Sequence, residues 1–205
     1  RLYERYLTFL NEKVDAPLVY LDFCDEKAGT DAVISNSYYG AYSLTNYLFD
    51  MGHRRIAYVG TILSTGSITD RYFGYVKSLL EHGIEVRDDW VIEDRDKETG
   101  EIDVDRLIKL PEEMPSAFVC NCDLTAGYLI KKLQDAGYRV PGDVSVAGYD
   151  NYLFPGFCDV AITTYEVDMK EMARRAIHTL TKKINGENYR QGICIVEGHL
   201  VVKDS

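Results

Sequence analysis

The 205-residue sequence predicts an α/β fold with parallel sheets flanked by helices. Three observations predict it. Short apolar, β-branched runs alternate with segments of helical periodicity, the pattern of βαβ units with right-handed crossovers. The strand runs are unbroken rather than alternating, as expected where helices cover both faces of a sheet. Polar residues gather where strands end. The stretch from Gly137 to Asn151 shows this best: a helix-closing Gly137, a Val140-Pro141-Gly142-Asp143 turn, the strand Val144-Ser145-Val146-Ala147, then Asp150 and Asn151. Ligands of open α/β sheets bind beyond the carboxyl ends of strands, so Asp150 is the first candidate contact.

The elements follow in order. Leu2, Tyr3, Tyr6, Phe9 and Leu10 have helical spacing over Leu2–Glu12. Pro17–Leu21 reads as a strand ending on Asp22, and Ala32–Ile34 as a second, followed by Asn36 and Ser37 as helix caps. The next helix carries Ala41, Leu44, Leu48 and Met51 on one stripe and closes at Gly52. Arg55–Val59 is a strand, and Thr61–Thr69 a loop of Thr, Ser and Gly. A helix follows with Tyr72, Tyr75, Val76, Leu79 and Leu80 on one face. Trp90–Ile92 is a strand and Asp94–Gly100 a charged loop. Asp103 is placed to cap a short helix bearing Val104, Leu107 and Ile108. Ala117–Cys120 is a strand, and Asp123 is placed to cap a helix that buries Ala126, Leu129, Ile130 and Leu133. Ala161–Val167 is extended. Asp168 caps a long helix with Met169, Met172, Ala173, Ala176, Ile177, Leu180 and Ile184 on one face, and Gly192–Lys203 holds two short strands.

Composition narrows the function classes. Hydrophobic residues make up 46% and charged residues 27%, as in ordinary soluble domains. A net charge of −10 argues against a surface spread along a phosphate backbone. No apolar run approaches the roughly 20 residues of a membrane span, and no signal peptide is present. The chain starts at Arg1 inside a helical pattern, which reads as a fragment of a longer parent. Cys24, Cys120, Cys122, Cys158 and Cys194 are odd in number and scattered, which reads as reduced thiols in a cytoplasmic protein. Cys120 and Cys122 lack two further ligands at usable spacing, so no metal or cofactor is expected. No nucleophile-elbow, zincin or P-loop motif is present, and the four histidines are dispersed. The 16 tyrosines read as core-edge and surface residues.

Asp22, the Thr61–Thr69 loop, Asn121 with Asp123, and Asp150 with Asn151 stand at strand ends, which a parallel sheet brings to one edge. Arg71 opens the helix after the hydroxyl-rich loop. Aspartates accept two hydroxyls and arginine donates from a rigid fork, a set suited to a polyhydroxy ligand. Other roles stand beside this one. Asp123 suits a helix cap with no ligand role, and Asp22 and Asp150 suit turns. Arg71 in a first turn opposes the helix dipole and asks for an anionic neighbour.

Several segments resemble one family. Gly52-His-Arg-Arg-Ile-Ala-Tyr-Val-Gly60 is similar to the "GHRRIAxVG" segment of lactose/galactose-repressor-type bacterial transcription regulators. Arg71-Tyr-Phe-Gly-Tyr75 resembles that family's "R-x-x-G-[FY]", and Ala117–Gly127 its "AxFxxND-x-x-A-x-G". Gly137–Asn151 resembles "G-x-x-VP-x-DVSVxG[FY]D[ND]", and Thr163-Thr164 with Asp168–Ala176 the return to the first lobe.

The resemblance implies a two-lobed periplasmic-binding-protein-like fold with a small effector, a carbohydrate or derivative, in a cleft. The first lobe would hold about 1–35 and 161–188, and the second about 36–160 and 189–205. It implies effector contacts at Asp22, Ser67, Arg71, Cys122 or Asp123, Asp150 and Met169. Three positions depart from the pattern. Arg95 stands where an aromatic stacking residue is usual, Cys122 where Asn is frequent, and Met169 where some members are aromatic. Arg95 could stack, or bind an anionic effector such as a sugar acid or phosphorylated sugar.

The family's two first βα units, its hinge helix and its helix-turn-helix head have no counterpart here, so the first lobe is expected to be incomplete. The expected function is therefore the effector-sensing region of a non-enzymatic, cytoplasmic, homodimeric regulator. Its operator DNA would be reached only through the parent's N-terminal head. The alternatives are a solute-binding protein serving a sugar transporter or receptor, and an α/β enzyme using Asp22 or Asp150 as a base.

Overall fold

The computed structural model describes residues 9–10, 12–24 and 29–205. The helix expected over Leu2–Glu12 falls largely outside them. The chain divides into two compact units. One holds the described residues up to Asn36 together with Asp168–Glu197; the other holds Ser37–Val167 and Gly198–Ser205.

The smaller unit carries a parallel three-stranded sheet in the order β1-β2-β8, formed by β1 (Tyr20–Leu21), β2 (Ala32–Ser35) and β8 (Ile193–Val196). Its helix α4 (Met169–Asn185) starts at Asp168, whose carboxylate accepts from the Glu171 N–H at 2.9 Å. This is the N-cap the sequence predicts. Asp31, buried at the start of β2, accepts from Gly192 N–H at 2.7 Å and the Tyr189 hydroxyl at 2.8 Å, and pairs with Lys183 at 2.9 Å. Burial pushes its pKa up, but these three partners outweigh burial and leave it below the usual carboxylate range. Of the apolar stripe on α4, Met172 is buried whereas Met169, Ile177 and Ile184 are exposed among the described residues.

The larger unit is built on a six-stranded sheet in the order β4-β3-β5-β6-β7-β9. Its strands are β3 (Ile56–Val59), β4 (Val91–Ile92), β5 (Ala117–Cys120), β6 (Ser145–Asp150), β7 (Thr163–Glu166) and β9 (His199–Val201). All neighbours are parallel except β7 and β9. Alternate strand residues feed two cores. Ala57, Val59, Phe118 and Val146 pack with Leu129, Ile130 and Leu133 of α3 (Asp123–Asp135). Ile56, Tyr58, Val119 and Tyr149 pack with Leu44 and Leu48 of α1 (Ser37–Asp50) and Tyr75 and Leu79 of α2 (Gly66–Glu81). Burial on both faces explains the unbroken apolar runs.

Four expectations are corrected. β7 belongs to the larger sheet and β8 to the smaller one, because Ala147 pairs with Thr163 and Val33 with Cys194. The segment after Asp103 is a single turn, held by Leu107 N–H to Asp103 carbonyl at 3.0 Å, and not a helix. Trp90 sits in a 3₁₀ turn (Asp88–Trp90) rather than a strand. Tyr58, Tyr75, Tyr149 and Tyr165 are core residues with no more than 1% exposure. Their hydroxyls make that burial tolerable; Tyr58 donates to Ile68 carbonyl at 2.9 Å and Tyr75 to Ile56 carbonyl at 2.8 Å.

α1 and α2 cross at Gly74, where an added Cβ would lie 2.1 Å from the Tyr38 carbonyl oxygen and 2.9 Å from the Tyr42 nitrogen. Both are α1 backbone atoms and cannot swing aside. Gly74→Ala is expected to destabilise the fold by about 1–3 kcal/mol, the usual cost of overpacking. Urea unfolding checks this, and an unchanged midpoint would show that the helices separate freely.

Candidate functional site

The carboxyl ends of β3, β4, β5 and β6 deliver Thr61, Asp94 with Arg95, Asn121 to Asp123, and Asp150 with Asn151 to one edge of the larger sheet. Asp94 is fully buried. Its Oδ1 accepts from the Thr61 N–H at 2.9 Å, and its Oδ2 from Asn121 Nδ2 and the Thr125 hydroxyl, each at 2.7 Å. Arg95 meets the same carboxylate side-on, with Nε 3.2 and 3.1 Å from the two oxygens and Nη2 2.8 Å from Oδ2. Burial alone would raise the Asp94 pKa; Arg95, Asn121 and Thr125 outweigh it and hold the value below the usual range. Thr61 Oγ1 completes the link, accepting from the N–H groups of Asp94 at 3.0 Å and Arg95 at 2.9 Å.

Asn121 joins this cluster to Arg71. Its Oδ1 accepts from Arg95 Nη2 at 3.0 Å and its backbone carbonyl from Arg71 Nη1 at 2.6 Å. Arg71 is only 5% exposed. Its guanidinium carbon lies 3.8 Å from the Tyr149 ring centroid, and its Nη2 is 3.5 Å from Asp150 Oδ1. Burial disfavours its charge, but Asp150 first, then the phenol of Tyr149 and the thiol of Cys122, outweigh that and raise its pKa. Asp150 and Asn151 adopt positive φ of 100° and 53°. Two consecutive non-glycine residues in that region cost about 1–3 kcal/mol each and persist only where surroundings hold them. Here the Asn151 N–H donates to Thr164 Oγ1 at 3.2 Å, its amide meets Glu166, and its Oδ1 accepts from Lys203 at 2.7 Å.

Asp123 does not cap α3. Cys122 occupies the cap position without a side-chain cap bond, and Asp123 is the first helical residue. Its carboxylate turns to the sheet over Gly148, where an added Cβ would lie 2.0 Å from Oδ1. Oδ2 accepts from the Tyr152 N–H at 2.9 Å, whereas Oδ1 is buried without a hydrogen bond of good geometry. Burial drives its pKa up to about 7; Asp150 adds to the rise, and Thr164 and Lys203 offset only part of it.

The other expected residues are placed as follows. Cys122 Sγ lies 3.3 Å from Thr125 Oγ1 and 3.8 Å from Arg95 Nη2. Ser67 is in the first turn of α2, with Oγ 3.2 Å from Thr65 Oγ1. Asp22, with φ 55°, accepts from the Ser35 hydroxyl at 3.1 Å, and Met169 is the exposed first residue of α4. Those two belong to the smaller unit. Arg71, Arg95, Cys122, Asp123 and Asp150 are thus gathered at one edge of the larger one. Sequence reasoning missed Asp94. It follows the strand residues Val91-Ile92 closely, the same strand-end signature that singled out Asp22, but the charges of the 94–100 loop hid it.

A separate depression of about 460 Å³ is lined by Asp96, Glu101, Asp103, Arg106 and Tyr128 among others. Of its carboxylates, Asp96 and Asp103 are committed to the turn. Asp96 accepts from the Glu98 and Thr99 N–H groups and from Arg106, which lower its pKa to about 2, and Asp103 pairs with Arg106 at 3.1 Å. Among the described residues no group of His, Cys, Asp and Glu could hold a metal ion, and no helix is long and apolar enough to cross a membrane.

A mostly parallel sheet covered on both faces, with polar side chains converging at its carboxyl edge, is the arrangement at which open α/β sheets take ligands. Residues 45–205 match the periplasmic binding protein-like domain, and the chain belongs to that family. It is 30% identical over 190 residues to the HTH-type transcriptional repressor PurR of Mannheimia succiniciproducens, covering 92% of this chain and 57% of the repressor. The chain therefore spans less than two thirds of that relative. A LacI-type transcription regulator from Bifidobacterium animalis subsp. lactis superposes with a TM-score of 0.81 at 27% identity, over 94% of this chain and 73% of that one. The regulator CelR, solved as a cellobiose complex, shares the fold at 24% identity, with a TM-score of 0.79 over 99% of this chain and 69% of that one.

The Asp123 geometry gives a pH prediction. A carboxyl whose folded pKa is about 7 prefers its protonated form in the fold. The unfolded chain releases that proton first, so stability falls as pH rises from about 4 to about 7 and then levels off. The full penalty is on the order of 4 kcal/mol. Asp123→Asn lacks it, so the melting temperature of this variant should gain on the wild type between pH 5 and pH 8. Parallel melting profiles would show that Asp123 is ionised throughout.

Proposed function

We propose that this chain is the effector-sensing region of a DNA-binding transcriptional regulator and that its effector is a carbohydrate or carbohydrate derivative. The observation that carries the reading is the pairing of buried Arg71 with Asp150 at the carboxyl edge of a periplasmic binding protein-like sheet. An arginine fork beside a carboxylate matches vicinal hydroxyls, which donate to one and accept from the other. Ser67, Arg95, Cys122 and Asp123 are proposed to contribute on the same edge. Asp22 and Met169 are proposed on the resemblance alone. Relatives named as transcriptional repressors, and a neighbour solved with cellobiose, favour this reading over a transporter's solute-binding protein.

The proposed parent is cytoplasmic, non-enzymatic and homodimeric, and reaches operator DNA through an N-terminal head. Effector binding would bias two conformers of the parent by the difference between its affinities for them, and effector would change DNA affinity by the factor by which DNA changes effector affinity. Carbohydrates, sugar acids and sugar phosphates screened by thermal shift on the full-length protein test the reading. Asp150→Ala should keep the circular dichroism spectrum and lose at least about tenfold in effector affinity, or about 1.4 kcal/mol. Undiminished affinity by calorimetry would remove Asp150 from the site.

A further inference from the structure

We propose that Arg95 is a specificity-determining residue whose charge is cancelled by Asp94, so that the site selects an uncharged, oxygen-rich ligand over a sugar acid or sugar phosphate. The inference rests on the effector reading of this sheet edge and narrows its ligand class.

Arginine at a strand end invites an anionic ligand, yet the geometry opposes one. Asp94 grips the Nε and Nη2 side of the guanidinium, and Nη2 also donates to Asn121 Oδ1 at 3.0 Å. The Arg95 side chain is 16% exposed and that of Asp94 fully buried. Asp94 opposes the Arg95 attraction for an anion at Nη1, so the pair attracts one less than a lone guanidinium would. Nη1 makes no hydrogen bond among the described residues, so its two N–H groups remain as fixed donors of a neutralised pair. They suit a hydroxyl, ether or carbonyl oxygen. A phosphate or carboxylate there would lose its hydration and meet no uncompensated cation.

The rest of the edge agrees. Arg71, the other guanidinium, is balanced by Asp150 at 3.5 Å. The first turn of α3, whose N–H groups could otherwise attract an anion, carries the Asp123 carboxyl itself. Arg71, Arg95 and Lys203 therefore stand among the carboxyl groups of Asp94, Asp150, Glu166 and Asp123, with no excess of positive charge.

The test uses full-length protein and calorimetry with matched probes: glucose with glucuronate, galactose with galacturonate, ribose with ribose 5-phosphate, and inorganic phosphate. The expected result is at least about tenfold preference for the neutral member of any pair that binds, and no phosphate binding that depends on Arg95. Asp94→Asn should uncover the Arg95 charge and create phosphate or uronate binding. The double variant Asp94→Asn with Arg95→Gln, which removes both charges, should abolish that gain.

Wild-type binding of phosphate or a uronate that weakens tenfold or more in the double variant would overturn the proposal. So would a folded Asp94→Asn protein with unchanged anion affinity. If Asp94→Asn fails to fold, the wild type decides alone: a preference of about tenfold for the neutral member of a matched pair upholds the proposal, and equal or tighter anion binding overturns it. Failure of every sugar to bind would count against the effector reading, while the phosphate titration would still decide the role of Arg95.

Discussion

Asp94 is a fully buried carboxylate that no solvent reaches, and the carboxyl edge of the larger sheet is assembled around it. An ionised group in that position costs several kcal/mol unless each oxygen is hydrogen-bonded and a cation is close. Asp94 obtains those partners from four different places: the Thr61 loop after β3, Arg95 beyond β4, Asn121 beyond β5 and Thr125 in the first turn of α3. The first three lie in loops beyond strand ends, and the fourth opens a helix that the core already holds. The penalty for an unpaired charge therefore fixes the loops in register. Removing one partner exposes the cost borne by the remainder, so these loops are expected to order together.

The neighbouring half of the edge obeys a different logic. Arg71 has one undisputed backbone bond, a face-on tyrosine ring and a longer ion pair, and its Nε is buried without a partner. Asp150 and Asn151 hold strained backbone, and Asp123 keeps one oxygen without a hydrogen bond. Such incompletely satisfied groups are common where a ligand is meant to supply the missing interactions. The satisfied cluster around Asp94 and the incompletely satisfied one around Arg71 meet at Asn121, whose side chain serves the first and whose carbonyl serves the second. Asn121 thus ties the two halves together through hydrogen bonds.

Much of this was legible in the sequence, for identifiable reasons. Unbroken apolar runs located β3, β5 and β6 because two-sided burial leaves no alternation to misread. Strand ends then placed Asp150, Asp123 and Arg71 on one edge. The larger errors came from interactions that local pattern does not encode. Asp94 was hidden because a buried carboxylate and its solvated neighbours Asp96 and Glu98 look alike in a charged loop. Asp123 resembled a cap because helix boundaries shift by a residue, and one residue decides whether a side chain meets backbone N–H groups or the sheet. The exchange of β7 and β8 between units reflects long-range pairing, which no local periodicity reports. The tyrosine cluster was misplaced because burial of a phenol depends on distant carbonyls that accept from it.

Gly148 shows how the two kinds of information combine. Any side chain there would occupy the space of Asp123 Oδ1. The glycine therefore brings a carboxyl group against the strand that ends on Asp150, close enough for each to raise the cost of ionising the other. Two carboxyls so placed accommodate one negative charge more readily than two. Arg71 resolves the competition in favour of Asp150, the member it can reach. Asp123, its pKa raised to about 7, is left as the partner that keeps its proton below neutral pH, able then to donate where an ionised aspartate only accepts. The charge balance of the site thus follows from a glycine that gives one acid room to be buried and an arginine that stabilises the charge of the other.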